Sequence, residues 1–134
     1  MTDTDLSPGN YSPVAIDHFE NPRNVGKIDG ADVSGRVINP VCGDELQLFL
    51  NIEDSCNEQR ISKVSFLASG CPATIATSSM ATQLLINKSV SDALELSRED
   101  FAEAVGGLPS SKIHCSVLAE AALKQALDNW RVKS

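Results

Sequence analysis

The chain has 134 residues, of which 42% are hydrophobic, and this is enough for a single domain with a core of its own. Its formal net charge of −7 argues against nucleic acid as the main partner, because phosphate binding needs a basic face. No stretch is long and apolar enough to span a bilayer, and the acidic start at residues 1–5 lacks the pattern of a secretory signal, so we expect a cytoplasmic protein.

The N-terminal residues 1–10 are polar and have little to bury, which predicts a flexible tail before one domain at 11–134. The pair Ser12-Pro13 predicts a first helix, with Ser12 as N-cap and Pro13 at its first position. This helix should end before Pro22, and His18 should lie on its surface. Its apolar face is predicted from Val14, Ile16 and Phe19.

Three strand candidates follow the first helix. Apolar residues alternate between Val33 and Val37, and strict alternation continues from Leu46 to Ile52, so one face of the sheet should be buried. Residues 54–59 are predicted as a polar hairpin loop, after which a third strand starts at Ile61. The short connections predict an antiparallel meander.

Helical periodicity begins after Cys71 and continues to Asn87, with an apolar face at Ala73, Ala76, Met80 and Leu84. Residues 91–96 predict a short turn or helix, and residues 97–100 form a capping-box pattern that opens another helix ended by the glycines at 106–107. A last helix is predicted from Ile113 to Trp130. Its buried stripe should contain Ala119, Leu123, Leu127 and Trp130. Strands followed by helices indicate an α+β fold, with helices packed on one face of a three-stranded antiparallel sheet.

Four cysteines are scattered along the chain: Cys42, Cys56, Cys71 and Cys115. In a reducing cytosol, scattered thiols favour a metal or catalytic role over disulfides. Cys71 and Cys115 stand at predicted helix N-termini, where the helix dipole favours the thiolate, and Lys112 adds a positive charge near Cys115. Ser110 or Ser111 could cap the helix that begins there. Cys56 falls among polar residues of the predicted hairpin and is interpreted as incidental.

The remaining candidates adjoin these thiols in the sequence. Asp44 follows Cys42 by two residues, so both can face one pocket, and His114 directly precedes Cys115. Three thiols, an imidazole and a carboxylate are five candidate ligands, and soft sulfur selects zinc, ferrous iron or iron–sulfur chemistry. Scattered structural cysteines are the alternative. A Cys-His hydrolase with Asp44 as orienter is disfavoured, because an adjacent histidine and cysteine are poorly placed as base and nucleophile.

Four segments resemble one known family. They are residues 11–26 (YSPVAIDHFENPRNVG), 41–44 (VCGD), 69–76 (SGCPATIA) and 112–120 (KIHCSVLAE). Their order, spacing and ligand types are similar to the IscU/NifU N-terminal domain family of iron–sulfur cluster assembly scaffolds. The resemblance implies a non-enzymatic scaffold that builds a [2Fe-2S] cluster from iron (Fe2+) and persulfide sulfur. The implied partners are a cysteine desulfurase, an electron donor such as ferredoxin, and the apo-proteins that accept the cluster.

The resemblance also implies residue roles. Cys42, Cys71 and Cys115 would be the cluster thiolates, and Asp44 the carboxylate that keeps the cluster labile. Cys115 would also accept the persulfide sulfur, while His114 would be an alternative metal ligand. Two further positions match the family and are auxiliary: Lys112, whose presence distinguishes this branch from the zinc-dependent SufU branch, and Tyr11.

Two departures from the family pattern stand out. Pro72 replaces the glycine that many members carry after this cysteine, which stiffens the backbone and removes an N–H. Residues 108–112 read Leu-Pro-Ser-Ser-Lys instead of Leu-Pro-Pro-Val-Lys, which argues against dedicated recognition by an Hsp70-type chaperone. The alternative function is a zinc-binding protein (Zn2+) of the same fold that regulates a cysteine desulfurase or accepts sulfur from it.

Overall fold

The computed structural model describes residues 12–39, 43–55, 58–108 and 114–133. Within these ranges the elements are α1 (Pro13–Glu20), β1 (Val33–Ile38), β2 (Glu45–Ser55), β3 (Glu58–Ser69), α2 (Pro72–Leu85), α3 (Val90–Ala93), α4 (Arg98–Ala104) and α5 (His114–Lys133). The three strands form an antiparallel sheet in the order β1-β2-β3, which confirms the predicted α+β fold. No helix in the described parts of the chain combines the length and apolar character needed to cross a membrane.

The central strand β2 buries one face along its length, as its alternation predicted. The side chains concerned are Leu46, Leu48, Leu50 and Ile52. Phe49, on the opposite face, is also buried, which alternation did not predict. Its cross-strand neighbour Ser65 donates a hydrogen bond of 2.7 Å to the carbonyl of Gly26. Backbone hydrogen bonds also join Asn24 and Gly26 to Phe66, so the segment before β1 runs along the outer edge of β3.

The hairpin between β2 and β3 is longer than predicted, and the expected loop over 54–59 is wrong. Asp54 pairs with Gln59, and Ser55 pairs with Glu58, so both strands run almost to the tip. Backbone hydrogen bonds hold an antiparallel pair whether or not its side chains are buried, and polarity alone therefore misplaced the turn. Cys56, the cysteine interpreted as incidental, lies outside the described residues.

The long helix α5 packs directly on the sheet. A Cβ on Gly35 in β1 would lie 2.4 Å from the carbonyl oxygen of Ala122, so only glycine allows this close approach. The predicted stripe is confirmed: Ala119, Leu123 and Leu127 are buried. Trp130 packs against the same core and donates through Nε1 to Gln59 at 3.1 Å. The proposed N-cap candidates at 110 and 111 lie outside the described residues.

Helix α1 is positioned on α2 by polar contacts. Ser12 caps α1 as predicted, accepting from the amide of Ala15, and its hydroxyl donates to the carbonyl of Val105 beyond α4. His18 was expected on the surface, and this is wrong. It is buried, because Ser79 of α2 offers its hydroxyl 2.7 Å from Nδ1 of the imidazole. Burial lowers the pKa of His18.

The predicted apolar face of α1 is only partly correct. Val14 is 41% exposed, whereas the buried positions are Ala15 and His18. Ile16 and Phe19 are partly buried against a small apolar cluster. The members of this cluster that are fully buried are Ala15, Ala73, Ala76, Val105 and Cys115. It is separate from the main core and includes one of the candidate ligands.

The other helices begin and end close to their predicted positions. Helix α2 starts at Pro72, with Cys71 as N-cap, and ends two residues before the predicted Asn87. It lies in the middle of the fold, and polar residues of this helix are buried as well as apolar ones. The buried polar residues are Thr74, Thr77, Ser78, Ser79 and Thr82. Helix α3 is shorter than the predicted 91–96. Helix α4 has the predicted capping box between Ser97 and Asp100.

Candidate metal centre

Three of the predicted ligands converge at one end of the sheet. Asp44, Cys71 and Cys115 each offer an atom, and these atoms all lie within 4.8 Å of one another. They come from three separate elements: Asp44 directly precedes β2, Cys71 caps α2, and Cys115 is the second residue of α5. The site is therefore assembled only when the sheet and both helices have packed.

The pairing of β2 with β3 brings Asp44 to Cys71. Glu45 and Ser69 are the last pair of the ladder at the open end of the hairpin. The next residues outward are Asp44, before Glu45, and Gly70, after Ser69, and they therefore face each other. A Cβ on Gly70 would lie 2.4 Å from the carboxyl carbon of Asp44, and the φ of Gly70 is +156°. Both observations require glycine at this position. The amide of Cys71 also donates to Oδ2 of Asp44, at 3.4 Å.

The two sulfurs are spaced as a shared ion requires. Sγ of Cys71 and Sγ of Cys115 are 3.6 Å apart. Two thiolates bound to one tetrahedral ion at about 2.3 Å have their sulfurs about 3.8 Å apart. Both thiols therefore fit a single zinc or iron ion with little movement. Asp44 and Cys115 are buried, and Cys71 is half-buried.

A threonine that the sequence analysis missed lies among these three residues. The hydroxyl of Thr74 donates to Oδ2 of Asp44 at 2.6 Å, and its oxygen is 3.2 Å from the sulfur of Cys115 and 3.6 Å from that of Cys71. One signal in the sequence points to it. Thr74 is the third residue of α2, three after the N-cap Cys71, and residues at this spacing lie on the same side of a helix.

The pKa values of the Cys71 and Cys115 thiols are shifted in opposite directions. A hydrogen bond from Cys115 lowers the pKa of Cys71 to about 5, and the hydroxyl and amide of Thr74 act in the same direction. The same interaction, together with burial, raises the pKa of Cys115. The lowered pKa of Cys71 agrees with the thiolate expected at the start of α2. The raised pKa of Cys115 disagrees with the thiolate expected there, because a buried thiol next to an existing thiolate keeps its proton.

The remaining predicted site residues are not placed by the structure. Cys42, Lys112 and Tyr11 lie outside the described residues. His114 is the first residue of α5, but its side chain also lies outside the description. Their roles stay predictions.

The chain is similar to known proteins over most of its length. Residues 10–134 match the model of the family described as NifU-like N-terminal domain. The iron-sulfur cluster assembly scaffold protein IscU 1 of Archaeoglobus fulgidus is 50% identical over 120 residues, which cover 90% of this chain and 76% of that protein. The iron-sulfur cluster assembly scaffold protein IscU of Escherichia coli strain K12 is 42% identical over 126 residues, 92% of this chain and 95% of that one.

A solved structure shows the same architecture. The crystal structure of a nitrogen-fixing NifU-like protein (N-terminal) from Brucella abortus superposes with a TM-score of 0.75, covering 92% of this chain and 95% of that one. At 14% identity this likeness concerns the fold alone. The family model and the two sequence relatives carry the assignment further: the chain belongs to the NifU-like N-terminal domain family.

Proposed function

We propose that this protein is a scaffold on which a [2Fe-2S] cluster is assembled and from which it is transferred to apo-proteins. The observation that carries the proposal is the convergence of Asp44, Cys71 and Cys115, with ligand atoms within 4.8 Å of one another. The scaffold names of the relatives from Archaeoglobus fulgidus and Escherichia coli support the same function. In this role the chain holds and passes on its cargo and is not an enzyme.

The proposed cluster ligands are four. A [2Fe-2S] cluster takes two protein ligands on each iron. Cys71, Cys115 and Asp44 supply three, and Cys42, two residues before Asp44 in the sequence, is proposed as the fourth. Asp44 is the exchangeable ligand, because a carboxylate oxygen is a harder donor than the sulfur that this chemistry prefers. His114 is proposed as an alternative ligand for a single ion.

Cys115 is the proposed acceptor of sulfur from a cysteine desulfurase. Its sulfur attacks the terminal sulfur of the desulfurase persulfide, the S–S bond of the donor breaks, and the donor cysteine leaves as a thiolate. The proton of Cys115 passes to the Cys71 thiolate, 3.6 Å away. Two electrons from a donor such as ferredoxin then release the added sulfur as sulfide and restore Cys115. Lys112 and Tyr11 are proposed as auxiliary residues.

The proposed cellular location follows from the chemistry of the thiols. Reactive free thiols persist in a reducing compartment, which supports a cytoplasmic location. The final acceptors are apo-proteins that need a cluster. Because residues 108–112 depart from the chaperone-binding pattern, we propose that transfer proceeds without a dedicated Hsp70-type chaperone.

A second candidate is a zinc protein of the same fold that regulates a cysteine desulfurase or accepts its sulfur. The observation that favours it is the spacing of 3.6 Å between the sulfurs of Cys71 and Cys115, which suits one tetrahedral zinc ion as well as iron. Zinc forms no coloured complex with these ligands, whereas an iron–sulfur cluster absorbs visible light. Visible absorption therefore separates the two functions.

The experiment is anaerobic reconstitution with Fe2+, cysteine and a desulfurase, followed by visible absorption. We expect iron-dependent absorption in the wild-type chain, its loss in Cys71→Ser and Cys115→Ser, and its retention in the control Cys56→Ser. A colourless wild type would contradict the scaffold function, as would full absorption in both ligand variants. Mass spectrometry after desulfurase treatment should find the added sulfur on Cys115, and sulfur found only on Cys56 would refute that role.

A further inference from the structure

Thr74 is the side chain that touches all three described ligands of the metal centre. It is 1% exposed, and its hydroxyl lies 2.6 Å from Oδ2 of Asp44, 3.2 Å from the sulfur of Cys115 and 3.6 Å from that of Cys71. Thr74 is the third residue of α2, so no residue of its own helix lies one full turn before it to accept this hydrogen bond. The hydroxyl points instead to a carboxylate from a different element.

The carboxylate of Asp44 is the acceptor nearest to the Thr74 hydroxyl. A threonine hydroxyl has one hydrogen to donate, and the contact of 2.6 Å with Asp44 is the shortest of the three. Hydrogen bonds to an ionised acceptor are short and strong, and this one is buried. A carboxylate has about four lone-pair sites, so accepting from Thr74 does not exhaust what it can offer a cation.

We propose that Thr74 is a positioning residue that orients the Asp44 carboxylate toward the ion held by Cys71 and Cys115. This inference rests on the proposed metal-binding function of the centre. Outer hydrogen bonds to a ligating carboxylate fix its orientation, and their loss typically weakens metal binding by about 10- to 100-fold. Thr74 acts through Asp44, and its effect should vanish when Asp44 is absent.

The test uses Zn2+ alone as the probe. The variants are Thr74→Val, which keeps the branched shape without the hydroxyl, Thr74→Ser, which keeps the hydroxyl, Asp44→Ala, and the double variant T74V/D44A. Competition with a coloured chelator gives the zinc affinity of each. The spectrum of the Co2+ form, which depends on the ligands bound to the ion, reports directly on whether the carboxylate is in place.

We expect T74V to bind Zn2+ about 10- to 100-fold more weakly than the wild type. T74S should bind within about threefold of the wild type, a rescue that a purely packing role would not produce. T74V/D44A should bind no more weakly than D44A, since the two residues act on one ligand. The Co2+ spectrum of T74V should resemble that of D44A.

Three results from the variants would overturn the inference: unchanged zinc affinity in T74V, the same loss in T74V and T74S, or an equally large effect of T74V in the D44A background. Unfolding of the metal-free variants in denaturant shows whether each is folded. If T74V is not, Thr74→Ala replaces it in the same cycle, because alanine is the best helix former.

The zinc-binding test of Thr74 does not depend on whether the chain assembles a cluster. A wild-type chain that binds zinc but forms no cluster refutes the scaffold function and leaves the role of Thr74 standing. If the chain forms a cluster but substitution of Thr74 leaves its zinc affinity unchanged, only the inference about Thr74 is refuted. A wild-type chain that binds no zinc overturns it as well.

Discussion

Replacing Gly70 with alanine tests the geometry of the centre most directly. The new Cβ would lie 2.4 Å from the carboxyl carbon of Asp44 and 2.7 Å from both of its oxygens. Gly70 also has a φ of +156°, a conformation that side chains strongly disfavour. The substitution therefore strains the backbone and drives the carboxylate away from Cys71 and Thr74.

The size of the effect follows from two terms. The backbone conformation costs about 1–3 kcal/mol for a residue with a side chain. Displacing Asp44 breaks its hydrogen bond with Thr74, and a hydrogen bond to a charged group contributes about 1.5–3 kcal/mol. We expect Gly70→Ala to lower the free energy of unfolding of the metal-free protein by about 2.5–6 kcal/mol.

Gly30→Ala is the matched control. Gly30 also has positive φ, +72°, but a Cβ there meets nothing within 4 Å. It should lose only about 1–2 kcal/mol, the cost of the left-handed conformation. Denaturant unfolding gives the stabilities, and chelator competition gives the zinc affinities. Zinc affinity should fall in G70A and stay at the wild-type level in G30A. Equal stability losses and unchanged zinc affinity in G70A would refute the reasoning.

Three further predictions concern the thiols, the buried histidine and the contact between helix and sheet. In the metal-free protein at pH 6, iodoacetamide should label Cys71 before Cys115, because the pKa of Cys71 is about 5 and that of Cys115 is raised. Peptide mass spectrometry checks the order, and earlier labelling of Cys115 would contradict it. His18 has a lowered pKa in the folded state, so the unfolded state binds more protons and stability should fall as the pH drops below about 6.5. In His18→Asn this part of the loss should disappear from denaturant unfolding curves at pH 7.5 and 5.5, and parallel losses in both proteins would argue against it. Gly35→Ala should destabilise the fold by about 1–3 kcal/mol or more, because its Cβ would meet the backbone of α5 2.4 Å away; an unfolding midpoint equal to that of the wild type would show that the helix is not so close.

The central strand and the last helix could be predicted because each has a strong repeat in the sequence. Alternation from Leu46 to Ile52 indicated the buried face of β2, and three- to four-residue spacing indicated the buried stripe of α5. The turn between β2 and β3 could not be placed, because exposed strand ends carry the same polar residues as loops. The surface position expected for His18 failed for a related reason: a polar residue goes inside when a distant segment supplies its partner, and Ser79 is 61 positions away.

The candidate centre was predictable in its residue types but not in its chemistry. Cys71, Cys115 and Asp44 could be chosen because they stand at the ends of predicted elements, where side chains from different segments can meet. The spacing from Cys71 points to Thr74, but its role could not be predicted, because it depends on contacts with Asp44 and Cys115, 30 and 41 positions away. The opposite pKa shifts of the two thiols could not be predicted either, since they depend on the hydrogen bond between the sulfurs and on burial in the fold.

The ladder between β2 and β3 limits the lengths of these strands as well as their composition. Ser62 is an extra residue on β3, placed between the pairs Asn51–Lys63 and Ile52–Ile61. From that bulge to the pair Glu45–Ser69 the two strands advance in step, and this alignment sets Asp44 against Gly70. One residue inserted or deleted in that stretch would turn the carboxylate away from the sulfurs while leaving every ligand in the sequence. Related chains that keep the centre should therefore vary in length between the bulge and the turn that joins β2 to β3. They should not vary between the bulge and the pair Glu45–Ser69.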